Sequence, residues 1–200
     1  MPDPAMRPTT QAAEGLPRLE WTLAEFERLS ELGFFDGIDR VRYRVELIDG
    51  EIVPMQPKGG RHEWVRGRLG NYLMRRLPEG LALYPEPGWR PGGNRYVEPE
   101  FIVCDERFRP DTVPASEVLL LIEVADTSRR YDMGTKAVIY ASAGVREYWV
   151  VDAVSLSTRV FREPSADGYG AWRDVPPDDT LSPYLVPELA VALETLGLNA

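Results

Sequence analysis

Near the middle of the chain, Val118-Leu-Leu-Leu-Ile-Glu-Val124 places one carboxylate in a run that is otherwise apolar. Hydrophobicity that does not alternate over the length of a strand is the pattern of a strand buried on both faces. A chain containing one has to cover both sides of its sheet. Within the run Glu123 is anomalous, because an ionised carboxylate in an apolar interior is costly unless it is paired or bound to a metal. Either the strand ends there and Glu123 emerges into solvent or pairs with an arginine, or the carboxylate serves a function, as buried charges often do.

The flanking segments supply the covering layers. Thr22-Leu-Ala-Glu25 is a capping box ahead of Leu23, Phe26, Leu29 and Leu32 at helical spacing, with Gly33 where a C-terminal cap belongs. Between Tyr43 and Val53, Asp49-Gly50 separates two β-prone runs and predicts a hairpin, with Glu46 on its first strand. From His62 to Leu77, apolar Val65, Leu69, Leu73 and Leu77 predict a helix whose other face carries Arg66, Arg68, Arg75 and Arg76. Leu81–Arg90, Arg95–Cys104 and Glu117–Val124 read as strands, the last central to the sheet. Tyr131–Ala143 reads as a helix ending at Gly144, Tyr148–Val151 as a buried strand, and Leu156–Phe161 with Tyr169–Val175 as a meander. This order predicts an α/β domain around a mixed sheet flanked by helices. Residues 1–17, with four prolines, are expected to be a disordered tail, and residues 18–200 a single domain.

Composition narrows the compartment and the chemistry. A lone cysteine, Cys104, forms no internal disulfide, and with His62 the only histidine, Cys- and His-rich metal sites are excluded. No apolar run approaches the roughly 18 residues of a membrane helix, and no basic segment followed by an apolar stretch opens the chain, so a cytoplasmic protein without a membrane partner is expected. The net charge of −9 argues against non-specific nucleic-acid binding by the molecule as a whole. The basic residues are nevertheless concentrated: Lys58, Arg61, Arg66, Arg68, Arg75 and Arg76 face only Glu63 over that stretch. They read either as phosphate contacts or as a solvated face balancing acidic loops.

Three further groups fall within reach of Glu123. In Glu98-Pro99-Glu100, period-two alternation puts Glu98, Glu100 and Ile102 on one face, and Glu100, nearer the apolar run, is the better candidate. Asp132, Lys136 and Tyr140 are spaced i, i+4, i+8 on the helix that folds back over the Glu123 strand, so a lysine can reach a carboxylate cluster from above. Glu46 shares a strand face with Ile48. Were Glu46, Glu100 and Glu123 to converge with Lys136, their mutual repulsion would call for a divalent cation, and all-oxygen ligands select Mg²⁺ or Mn²⁺. Such an ion polarises phosphorus and lowers the pKa of a bound water, while the lysine orients that water or offsets charge on phosphate.

Tyr43-Arg-Val-Glu-Leu-Ile-Asp-Gly-Glu51, Arg61-His62, Pro85-Glu-Pro-Gly88, Leu121-Ile-Glu-Val124, Arg129-Arg-Tyr-Asp132, Lys136, Tyr140 and Gly144-Val-Arg-Glu-Tyr-Trp-Val-Val-Asp152 together resemble the Uma-type restriction endonuclease family of the PD-(D/E)XK nuclease superfamily. The resemblance spans Leu19 to Leu196 and implies a restriction-endonuclease-like core and a Mg²⁺-dependent DNA endonuclease. It implies Glu46 as helper acid, Glu100 and Glu123 as the strand acids, Lys136 as the lysine, all three glutamates as metal ligands, and His62, Asp132 and Tyr140 as supporting residues. The superfamily lysine usually lies two residues after the second acid, where this chain has Ala125; Lys136 resembles the variant in which it has migrated to the following helix. The family pattern Pro-Asp is Pro99-Glu100 here, one methylene longer. The alternatives are a catalytically inactive nuclease fold that binds nucleic acid or a protein partner, and a hydrolase of small phosphorylated molecules. A homodimer would suit a duplex cut on both strands, and the acidic exterior implies weak, salt-sensitive DNA affinity.

Overall fold

The capping box, the Asp-Gly turn and the apolar central run each nucleate an element where their local chemistry requires it. The structure, a computed structural model, describes residues 19–36 and 44–198. The tail expected over residues 1–17 and Tyr43 of the expected hairpin lie outside the described residues. The chain groups into two compact units, one comprising residues up to Met55 with Gly93–Arg95, the other residues 56–92 with those from Tyr96 onward.

In the first unit, α1 (Leu23–Glu31) opens on a complete capping box: the Glu25 N–H donates to Thr22 Oγ1 at 3.2 Å and the Thr22 N–H to Glu25 Oε2 at 2.9 Å. Phe26 is its buried residue, its ring tilted against that of Phe35 with centroids 5.4 Å apart. Strands β1 (Val45–Ile48) and β2 (Glu51–Pro54) are antiparallel with Ile48 opposite Glu51, which leaves Asp49 and Gly50 as a two-residue turn at φ +48° and +86°. Both positive φ values are what a type I′ turn requires.

The second unit is built on six strands, β3 (Leu81–Pro85), β4 (Phe101–Asp105), β5 (Leu120–Ala125), β6 (Glu147–Asp152), β7 (Thr158–Ser165) and β8 (Gly168–Val175), lying in chain order across the sheet. Every pairing is antiparallel except β5 with β6. That parallel pair needs a crossover, which is helical, as parallel connections usually are: α3 (Arg129–Tyr131) passes through a π-helical turn (Asp132–Lys136) into α4 (Ala137–Ala143). Gly144, at φ +95°, closes it. The other layer is α2 (Gly60–Arg76), whose buried Val65, Leu69 and Leu73 form one cluster with Leu120, Ile122 and Val124. Alternation along β5 therefore sends Glu123 to the opposite face, under the crossover helix.

All six residues of β5 are buried, as its unbroken hydrophobicity predicts. Other boundaries differ from expectation for backbone reasons. The strand expected over Arg95–Cys104 begins only at Phe101, because Pro99 has no N–H to offer a ladder. The one expected over Leu81–Arg90 stops at Pro85, where Glu86 turns the chain at φ +46°; beyond it only an isolated bridge joins Trp89 to Val97. Among the described residues no helix is long and apolar enough to cross a membrane.

Candidate active site

Glu123 is 3% exposed, and its carboxylate is held from two sides. From the crossover helix, Lys136 Nζ and the Tyr140 hydroxyl both donate to Oε1, each at 2.9 Å. From the residue just before β4, the Glu100 N–H donates to Oε2 at 3.2 Å. The sheet register explains the second contact: Phe101 pairs with Ile122, so Glu100 is the next step, opposite Glu123.

Lys136 is 5% exposed, a burial that lysine tolerates only beside a countercharge. Asp132 Oδ1 lies 4.0 Å from its ammonium, and the Tyr131 ring lies below it at 5.6 Å. Asp132 is itself buried and accepts from Ser128 Oγ at 2.6 Å. The expected shared face of Asp132, Lys136 and Tyr140 is thus present, with Asp132 and Lys136 on a π turn and Tyr140 on the regular helix that follows it. π turns recur at functional sites. Tyr148 in turn donates to the Asp132 carbonyl at 3.0 Å and stacks edge-on against Tyr140 at 5.0 Å, which fixes the helix over the sheet.

Glu100 is also buried, at 4% exposure, but its carboxylate is occupied by a different set of groups. Lys58 Nζ lies 2.8 Å from Oε1 and 3.0 Å from Oε2, His62 Nε2 lies 3.1 Å from Oε1, and Arg66 Nε lies 3.6 Å from Oε2. His62 and Arg66 come from the first turns of α2; Lys58 precedes it. Burial alone would raise the Glu100 pKa, but the hydrogen bonds and charges of His62 and Lys58 outweigh it and hold the carboxyl below its ordinary range. Burial likewise pushes His62 down, and Glu100 more than reverses this, so its pKa is raised.

The structure thus gathers Glu100, Glu123, His62, Asp132, Lys136 and Tyr140 in one unit. Glu46 stands in the other, buried at 2% exposure on β1. Glu98, the weaker strand candidate, accepts from the Tyr96 hydroxyl at 3.0 Å. In the sequence Lys58 and Arg66 stand out only as parts of a basic run, and Glu86 only as part of Pro85-Glu-Pro-Gly88. Yet Lys58 Nζ is 2.5 Å from Glu86 Oε1, and Arg66 bridges Glu86 at 3.1 Å and Glu63 at 2.6 Å. The signal in the sequence was Pro85-Glu-Pro-Gly88, a turn where a non-glycine residue takes positive φ. The basic run divides accordingly: Lys58 and Arg66 face carboxylates, and Arg61 donates to the carbonyls of Ala153 and Val154 at 2.6 and 3.1 Å. Exposed Arg68, Arg75 and Arg76 remain on the outer face of α2.

A mixed six-stranded sheet with its one parallel pair at the centre, flanked by helices, places the second unit in the restriction-endonuclease-like class of α/β folds. A solved structure described as "a putative nuclease belonging to DUF820 from Anabaena variabilis" shares this fold, with a TM-score of 0.65 at 16% identity over 88% of this chain and 96% of that one. The family model described as "Uma2: Putative restriction endonuclease" matches residues 23–194. The chain belongs to the Uma2 family, and this membership supports a nuclease-type function. No curated protein matched the chain.

The donor chemistry suits a hard divalent cation. Glu123 on β5 and Glu100 just before the adjacent β4 offer carboxylate oxygens, and Mg²⁺ characteristically takes one or two carboxylates, completing its shell with water and substrate phosphate. Among the described residues, no group of three or more His, Cys, Asp or Glu side chains is arranged to hold a metal by itself.

Proposed function

We propose that the protein is a divalent-cation-dependent endonuclease that hydrolyses phosphodiester bonds in DNA, with Mg²⁺ the natural ion and Mn²⁺ a substitute. The observation that carries the reading is the buried Lys136–Glu123 pair beside Glu100. Glu100 and Glu123 would hold the cation, and the helper-acid role of Glu46 rests on the family resemblance alone. When bound, the ion supplies Lewis-acid polarisation of a phosphate oxygen.

The remaining work falls to side chains. Lys136, its position set by Glu123 and Asp132, presents an ammonium that offsets negative charge developing on phosphate and orients the attacking water. Tyr140 pins the Glu123 oxygen that Lys136 also uses, so removing its hydroxyl loosens both. His62 holds one Glu100 oxygen, and Asp132 limits the swing of the lysine. Exposed Arg68, Arg75 and Arg76 would contact backbone phosphates, and a homodimer would present two such sites to the two strands of a duplex. The single cysteine suits a reducing, cytoplasmic setting.

The test is incubation of purified protein with plasmid, oligonucleotide DNA and RNA in Mg²⁺ or Mn²⁺. Divalent-dependent DNA cleavage that disappears in Glu123→Ala and Lys136→Ala is expected; undiminished cleavage in either variant refutes the assignment. A non-catalytic relative that binds nucleic acid or a protein is the second reading, favoured by the saturation of Glu100 with Lys58, His62 and Arg66. It predicts no divalent binding by calorimetry.

A further inference from the structure

We infer that Lys58 is a built-in counter-cation of Glu100, which a divalent ion must displace onto Glu86 before it can use the Glu100 oxygens. The inference rests on the divalent-cation reading above and names two residues, Lys58 and Glu86, that set the affinity of that site.

The Lys58 ammonium contacts both oxygens of Glu100, at 2.8 and 3.0 Å, and only 15% of its side chain is exposed. A cation that ligates the same oxygens is brought within contact distance of a fixed positive charge, and the two repel each other and compete for both oxygens. Lys58 already has a second acceptor, since its Nζ is 2.5 Å from Glu86 Oε1. Withdrawal therefore needs no large motion: the ammonium gives up one of two carboxylates that it now bridges.

Glu86 is built for that task. Its φ of +46° is a left-handed conformation that a non-glycine residue holds at a cost, and such outliers persist where surrounding contacts enforce them. Here the enforcing contact is the Glu86 N–H, which donates to the Glu100 carbonyl at 3.0 Å, so the residue that receives Lys58 is fastened to the residue that releases it. Arg66 braces the Glu86 carboxylate from the other side at 3.1 Å. The arrangement neutralises Glu100 in the cation-free protein and raises the divalent concentration needed to fill the site.

The test is calorimetric titration of Mn²⁺ into the full chain and into Lys58→Met, Glu86→Gln and the double variant. Lys58→Met should bind Mn²⁺ at least about tenfold more tightly, equivalent to about 1.4 kcal/mol. Glu86→Gln should bind about threefold or more weakly, because Lys58 loses its refuge, and this penalty should vanish in the Lys58→Met background. Lys58→Gln, which keeps a donor to Glu100 but no charge, should tighten binding in the same direction and serves if the methionine variant does not fold. Equal or weaker binding in the Lys58 variants overturns the inference alone, as does a Glu86→Gln penalty that persists without Lys58. Absence of Mn²⁺ binding in every variant and in the parent overturns the divalent-cation reading and this inference with it.

Discussion

Replacing Glu123 with glutamine removes one charge from a pair that is almost dry. Lys136 Nζ lies 2.9 Å from Glu123 Oε1, and the two side chains are 6% and 4% exposed. Glutamine keeps an oxygen of the same reach for Tyr140 and Lys136, so the loss is of charge rather than shape. Lys136 then keeps Asp132 Oδ1 at 4.0 Å and the Tyr131 ring at 5.6 Å, neither of which replaces a carboxylate in direct contact. Breaking a buried pair from one side costs about 3–5 kcal/mol, because the remaining charge stays desolvated. Partial compensation by Asp132 places Glu123→Gln near the lower end, and Lys136→Met, which strands the carboxylate, should cost a similar amount. The double variant removes both charges of the pair and leaves only Asp132, which keeps its Ser128 hydrogen bond, short of a cation. It should return to within about 1 kcal/mol of the parent, which against two single losses of about 3 kcal/mol is a coupling of about 5 kcal/mol. In a domain of this size 1 kcal/mol corresponds to about 2–4 °C, so each single variant should melt at least about 6 °C lower. Urea unfolding of the four proteins measures the cycle, and DNA cleavage of the same samples should be absent from all three variants, including the restabilised double. Strictly additive losses would refute the direct pairing, and a double variant that cleaves DNA would refute the role of Glu123 and Lys136 in the chemistry.

The cluster on Glu100 predicts a pH window. His62, raised above its ordinary 6.5, contributes stability that is complete below that pH and is lost as pH rises through the folded value. Glu100, held below 4.5, contributes stability that is present above that pH and is lost as pH falls through the folded value. The two overlap fully between pH 4.5 and 6.5. Since His62 is the only histidine, its ring proton resonances titrate without ambiguity, and Glu100→Gln should shift the midpoint downward; an unchanged midpoint would exclude the contact. The divided basic run gives a second comparison. Replacing Arg68, Arg75 and Arg76 with glutamine should weaken DNA binding and flatten its salt dependence by about 0.9 for each phosphate that the variant no longer neutralises, as read by fluorescence anisotropy across a salt series. Arg61→Gln should instead cost about 1–2 kcal/mol of stability, through its two carbonyl hydrogen bonds, and leave the salt slope unchanged.

Legibility in the sequence tracked the range of the interactions involved. The α1 cap and the Asp49–Gly50 turn depend on contacts within three or four residues, and both stand where their residues place them. The buried centre of the sheet was readable in β5, whose six residues are all buried. The helix over it was readable too, including the shared face of Lys136 and Tyr140, since periodicity survives the change from a regular to a π turn. Strand ends were less legible: Pro99 and the positive φ of Glu86 shorten β4 and β3, and both are backbone effects that hydrophobic pattern does not register.

The sequence by itself determined an apolar central run carrying one carboxylate, a lysine on the next helix spaced within reach of it, and Glu100 at the start of a run that could pair beside it, while leaving open whether Glu123 is buried or emerges into solvent. Only the tertiary structure decided what holds Glu100. Lys58 reaches it from 42 residues away and Glu86 receives the same lysine from 28, distances over which no spacing rule operates. A count of charges likewise treats Lys58, Arg61 and Arg66 as equal to Arg68, Arg75 and Arg76, although the first three are turned toward carboxylates and carbonyls. The reason is that periodicity reports which face of an element is apolar, whereas the partner of a buried charge is set by which chain segments the packed sheet and helices bring within about 3 Å.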